Sequence, residues 1–274
     1  TRAYNQFGQV IEEVDPEGIV TAYEYYSEND PDGDANVTVS SRTLAGGTGG
    51  YLKAVIKDAR VDIRRTRAEP ALAIRTESAY DLVGNKVMAT DGRGNSTQFI
   101  YNQLNQIVRT IESEPFEYLT DFYYDANNNL VRTSRQNVGT ISLDLDLTGW
   151  VHTVYTYNAL NDKTSEIQMP EQGIQLVTSY EYDANQNIIA IQQPEGNRVE
   201  RIYDERNLVY QSTRGAASTE ASTETLHYDD NKNLVRHTDA ADTDNDGKPD
   251  ITQFTYDGYN RLIQKVDAEN NRMT

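Results

Sequence analysis

The residues of this 274-residue chain whose types and spacing most suggest chemistry are oxygen ligands rather than nucleophiles. The run Asp242-Thr243-Asp244-Asn245-Asp246-Gly247-Lys248-Pro249-Asp250 sets carboxylates at loop positions one, three, five and nine, with a glycine at six and the Lys248 carbonyl at seven. A hard, oxygen-seeking Ca²⁺ ion is held by a loop of this order, the glycine making the sharp turn. Position twelve, where a bidentate acid closes the shell, is Gln253, which lowers the expected affinity or calls on a water. An acidic, solvated turn between strands accounts for the same residues without metal. A weaker echo at Glu28, Asp30, Asp32 and Asn36 has Gly33 at six but Val39 at twelve. There the tight acidic turn is the simpler reading. Calcium is thus the cofactor the sequence suggests, and its role would be to stiffen an insertion.

Other chemistry finds little footing. His152, His227 and His237 are scattered over strand-like segments, with no H-x-x-x-H spacing, no Gly-x-Ser-x-Gly elbow and no phosphate-cradling glycine loop. Forty-three carboxylates would form acid/base pairs anywhere by chance, so a carboxylate dyad carries no information here. We read the chain as not an enzyme. Zero cysteines exclude disulfides and thiolate metal sites. With 25 basic and 43 acidic residues the formal charge is −18, which disfavours nucleic-acid backbones and anionic membrane surfaces and favours cationic partners. No apolar run approaches the ~18 residues of a membrane span, so membrane insertion is not expected. The basic island Arg60, Arg64, Arg65 and Arg67 is read as solvated or paired with nearby acids.

The elements behind these residues come from a repeated word, Tyr followed by Asp or Asn. At intervals of 21 residues or more it occurs at Tyr4, Tyr80, Tyr101, Tyr124, Tyr157, Tyr182, Tyr203, Tyr228 and Tyr256. The fourth residue after the Tyr is Gly or Asn in seven of nine copies, the two types that best tolerate positive φ. This predicts a type I turn followed by a left-handed residue and a bulge, with the Asp side chain capping the turn. The residue six after the Tyr is apolar in seven of nine copies, Lys86 and Lys163 being the exceptions, and an aromatic stands two before it in five. That alternation is a strand signal, so each word is the tip of a β-hairpin. Second turns, at residues 15–18, 91–94, 194–197 and 267–270, return the chain to the next Tyr strand. Residues 26–79 read as divergent or insertion-bearing repeats and 239–251 as an acidic, calcium-type loop insertion. The glycine stretch 45–50 and the small-residue stretch 216–224 read as loops. Tyrosine, at 19 copies against 5 Phe and 1 Trp, would stack between neighbouring strands or, on a sharper reading, form a glycan-binding surface.

The words Tyr124-Asp125-Ala126-Asn127-Asn128-Asn129-Leu130, Tyr182-Asp183-Ala184-Asn185-Gln186-Asn187-Ile188 and Tyr80-Asp81-Leu82-Val83-Gly84-Asn85 resemble the YDxxGNL words of RHS, or YD-repeat, proteins. The resemblance covers nearly the whole of residues 1–274. It implies an all-β array of hairpins in a continuous, spiralling antiparallel sheet, a segment of a hollow shell like those of bacterial RHS and Tc-toxin cocoons and the teneurin barrel. The function implied is a non-catalytic wall of a secreted or cell-surface protein that encloses or presents a C-terminal toxin. Its partners would be further YD repeats of the same or a neighbouring chain and an encapsulated toxin polypeptide. The alternatives are a teneurin-like adhesive or carbohydrate-binding module, with glycans as partners, and a fibrous surface assembly. Thr1–Tyr4 reads as the end of a Tyr strand and residues 266–274 match 14–21, so the chain reads as a fragment of a longer array.

Overall fold

The computed structural model describes residues 1–27, 30, 50–62, 70–137, 149–170, 173–240 and 248–273. Among the described residues twenty-one strands belong to one antiparallel sheet, built by pairing strands consecutive in sequence, and no α-helix occurs. The chain divides into two compact units. One comprises Thr1–Tyr123 and Thr133–Val151, the other Tyr124–Arg132 and His152–Thr274.

Within each unit the repeated word makes the predicted hairpin tip. The fourth residue after each of the nine tyrosines has positive φ, from 60° at Asn105 and Asn207 to 93° at Gly84. This includes Gln186 and Lys232, which the residue types alone would not have chosen. The local hydrogen bonds explain why they are held there. In the Tyr182 hairpin the Asp183 carboxylate accepts from the backbone N–H of Asn185 and Asn187, each at 2.9 Å, and from the Asn187 side-chain amide at 2.9 Å. The Gln186 N–H closes the turn on the Asp183 carbonyl at 3.1 Å. An aspartate fixed this way determines the conformation of the next four residues whatever stands fourth.

A second irregularity follows, which the spacing does not announce. In eight of the nine hairpins the Tyr is opposite the sixth residue after it, but the residue before the Tyr is opposite the eighth, as in Tyr157↔Lys163 and Thr156↔Ser165. The seventh residue is an extra one, a β-bulge that increases local twist. Its side chain joins the face of the residue before the Tyr: the Thr156 hydroxyl bonds both Thr164, at 2.8 Å, and Ser165, at 2.7 Å.

The return turns at Gly18, Gly94, Gly196 and Asn270 also carry positive φ. Between Tyr4 and Tyr80 the structure contains a hairpin without the word. Strand Ile19–Tyr25 pairs with Leu52–Val61, and Tyr25 is opposite Leu52 as the other tyrosines are opposite their sixth residue.

There is no thick core. Among the described residues the buried apolar side chains are Val14, Val20, Ala54 and Ala190. Most strand residues are half-buried on both faces, as in a sheet packed mainly through its own neighbours.

Candidate functional site

The candidate site is the junction between successive hairpins, because it decides whether the repeats form one wall or separate modules. Two sets of hydrogen bonds make that junction. The heading tyrosine reaches back to the previous hairpin and donates to the carbonyl of its sixth residue: Tyr101 to Lys86 at 2.9 Å, Tyr157 to Leu130 at 2.8 Å, Tyr182 to Lys163 at 2.8 Å, Tyr203 to Ile188 at 2.9 Å and Tyr228 to Val209 at 3.0 Å. Tyr25 does the same to Val10, and Tyr80 to Leu52. The carbonyl concerned sits at the bulge, where the ladder is disrupted and an extra donor is needed. Desolvation at this packed position pushes the hydroxyls of Tyr25, Tyr101, Tyr157, Tyr182 and Tyr228 above the ordinary phenol range.

The second set joins the tips. The side-chain amide of the fifth residue donates to the side chain of the left-handed fourth residue in the next hairpin: Asn85 to Asn105 at 2.9 Å, Asn129 to Asn161 at 2.8 Å, Asn187 to Asn207 at 2.9 Å and Asn233 to Asn260 at 2.9 Å. Asn is therefore used for two reasons, tolerance of positive φ and an acceptor for the neighbour. Gly84 is the informative departure. A Cβ there would lie 2.7 Å from the Tyr51 hydroxyl oxygen, so the ring of Tyr51 takes the space an amide has elsewhere.

Ion pairs lock the register on the face opposite the heading tyrosines. Arg75 joins Glu24 at 2.8 Å and Glu77 at 2.6 Å, and Arg198 joins Glu181 at 2.9 Å and Glu200 at 2.7 Å, at the same repeat positions in the two units. On the tyrosine face Lys163 meets Glu166 at 2.8 Å and lies 4.9 Å from the centre of the Tyr180 ring and 5.6 Å from that of Tyr155. A cation over two aromatic rings explains how Lys163 stands in a row that is apolar in seven of nine copies.

Of the sequence-derived ligands, Asp30, Lys248 and Asp250 are among the described residues. Asp242, Asp244 and Asp246, with Glu28, Asp32 and Asn36, lie outside the described residues. Lys248 and Asp250 are described, and the Asp250 carbonyl accepts from the Asp239 N–H at 2.9 Å, closing the base of that insertion. The Asp30 N–H bonds the Ser27 carbonyl at 3.2 Å. Among the described residues no three His, Asp or Glu side chains form a group able to hold a metal. Of the basic island, Arg60 forms a fork on Glu12 at 2.7 and 3.1 Å; Arg64, Arg65 and Arg67 lie outside the described residues. The histidines are strand residues: His237 bonds Glu224 at 2.9 Å and His227 bonds Arg236 at 3.3 Å.

No family model and no curated protein sequence matches the chain. Solved structures do. A crystal structure of TcdB2-TccC3 with Cdc42 matches 93% of this chain with a TM-score of 0.59 at 15% identity, and one of TcdB2-TccC3 without its hypervariable C-terminal region matches 96% with a TM-score of 0.59 at 14% identity. The fold is that of an RHS-repeat shell segment. In both comparisons the chain spans 16% of the matched chain's length. In this fold the junctions described above join one hairpin to the next.

Proposed function

We propose that this chain is a non-catalytic wall segment of a secreted or cell-surface RHS-type protein whose repeats enclose or present a toxin polypeptide. One observation carries the reading. The heading tyrosine and the tip asparagine tie successive hairpins together at a repeated register, which suits an uninterrupted wall better than separate sandwiches. The thin packing agrees, since a wall buries little within its own thickness. The tyrosine hydroxyls are bonded to backbone carbonyls, which argues against the tyrosine ladder as a glycan platform.

Electron microscopy of the complete polypeptide that carries this chain tests the proposal. A closed wall with protease-protected polypeptide inside is the expected result; an open, solid or fibrous assembly overturns it. We further propose that the 239–251 insertion binds Ca²⁺ through Asp242, Asp244, Asp246, Asp250 and the Lys248 carbonyl, supported by the spacing of those residues.

A further inference from the structure

The formal charge of −18 is not spread over the sheet. The 21 strands hold 16 Lys or Arg against 10 Asp or Glu, so the remainder of the sequence holds 9 against 33. The acid is concentrated in the turns and insertions, and in six of the nine repeated words an aspartate accepts the turn's N–H groups. The strands themselves are net basic.

The imbalance is greatest on the face that carries the heading tyrosines. Strand positions there hold eight Lys or Arg, four in each unit, against Glu13, Glu166 and Glu224. Lys86 is opposite Tyr80, Lys57 is opposite Thr21 on the face of Tyr23, and Arg201 stands two before Tyr203. These three form no ion pair with another described residue. Each unit also carries aromatic residues on that face, Phe99 and Phe122 in one and Tyr155, Tyr180 and Phe254 in the other.

We propose that this face, in each unit by itself, docks an acidic, extended polypeptide, its carboxylates on that unit's basic side chains and its apolar residues on that unit's aromatic rings. The proposal reverses what net charge alone suggests, and distance decides between them. Strands of five to seven residues put the rim carboxylates on the order of 10 Å from mid-strand. That is about one Debye length at physiological salt, so a ligand in contact with the face feels the local basic groups more than the rims. A polypeptide is preferred to a polyanionic sugar because the aromatic side chains on the same face suit apolar side chains, which such a sugar lacks. The inference deepens the wall reading by giving the chemistry of what lies against the wall, and it does not require closure.

Fluorescence anisotropy at ~0.15 M salt tests it on the whole 274-residue chain. Three labelled extended peptides share their apolar positions and carry Glu, Lys or Ser at the others. The Glu peptide is expected to bind at least about tenfold more tightly than the other two, as like-charge juxtaposition is costly. The triple variant Lys57→Glu, Lys86→Glu, Arg201→Glu, with an unchanged circular dichroism spectrum, is expected to prefer the Lys peptide. Tighter binding of the Lys peptide to the unmodified chain, binding of none, or equal competition by polygalacturonate overturns the proposal. An open particle by microscopy would remove the wall reading and leave a positive peptide result intact. A closed particle with no peptide preference would do the reverse.

Discussion

The side-chain amide of Asn129 donates to the side-chain oxygen of Asn161 at 2.8 Å, across 32 residues of sequence. Asn129 belongs to the tip headed by Tyr124 and Asn161 is the left-handed residue of the tip headed by Tyr157, with φ of 65°. One asparagine thus satisfies a local backbone requirement and a bond between hairpins.

Two substitutions separate those roles. Asn161→Gly keeps the conformation and loses the acceptor, for an expected cost of about 0.5–1.5 kcal/mol. Asn161→Ala loses both, and the left-handed conformation adds roughly 1–2 kcal/mol. Urea denaturation followed by circular dichroism checks the order; equal stability of the two variants would mean that the conformational requirement is absent.

Tyr182→Phe removes the hydroxyl that bonds the Lys163 carbonyl while leaving the ring in place. The expected loss is about 1 kcal/mol, the net worth of a typical hydrogen bond. Tyr259→Phe, at an 83% exposed tip, serves as the control and is expected to change nothing measurable. Local hydrogen exchange at residues 163–165 should quicken in the first variant alone.

Gly84→Ala faces two penalties, a φ of 93° and a Cβ 2.7 Å from the Tyr51 hydroxyl. Removing the ring with Tyr51→Ala relieves the second and leaves the first. A double-mutant cycle should therefore show that Gly84→Ala costs less in the Tyr51→Ala background, by an interaction energy of about 0.5–3 kcal/mol. Additive costs would mean that the two residues do not compete for space.

Stability should fall at both ends of the pH scale. The turn carboxylates of Asp125, Asp183, Asp229 and Asp257 are held below the usual range, first by the side-chain donor five positions past the heading tyrosine and then by backbone N–H groups. A depressed folded-state value gives stability that is complete above the unfolded value, about 3.9, and is lost as pH drops through the folded one. Tyr157, Tyr182 and Tyr228 are shifted upward by desolvation, so their contribution is complete below about 10 and is lost as pH rises beyond it. Melting temperature against pH should be a plateau with both flanks falling; a flat acid flank would show that the tip aspartates do not hold the turns.

Calcium is expected to give a calorimetric heat that vanishes in Asp244→Asn with Asp246→Asn, while changes at Asp30 and Asp32 leave most of it. Absence of any heat in the unaltered chain, together with a melting temperature unmoved by EDTA, would reduce the 239–251 insertion to an acidic turn.

The hairpin tips were legible because their determinants are local. An aspartate one past the tyrosine and a residue able to adopt positive φ three further on specify a turn with no help from the rest of the chain, and Gln186 and Lys232 show that the aspartate leads. The Tyr25 hairpin was illegible for the same reason inverted: its second residue is Tyr26 and no tip word follows. Only its pairing with Leu52 and the bond to the Val10 carbonyl reveal it.

Residue types and spacing determined by themselves that this is an all-β array of tyrosine-headed hairpins, because turn conformation and strand alternation are properties of a few adjacent residues. The tertiary structure decided what each repeated residue is for: the tyrosine hydroxyl serves the previous hairpin's bulge, the tip asparagine serves its neighbour, and a strongly acidic chain presents net basic strands. Those facts depend on which residues of different repeats come to lie side by side. Register and face fix that, and both are set by hydrogen bonds between segments far apart in the chain.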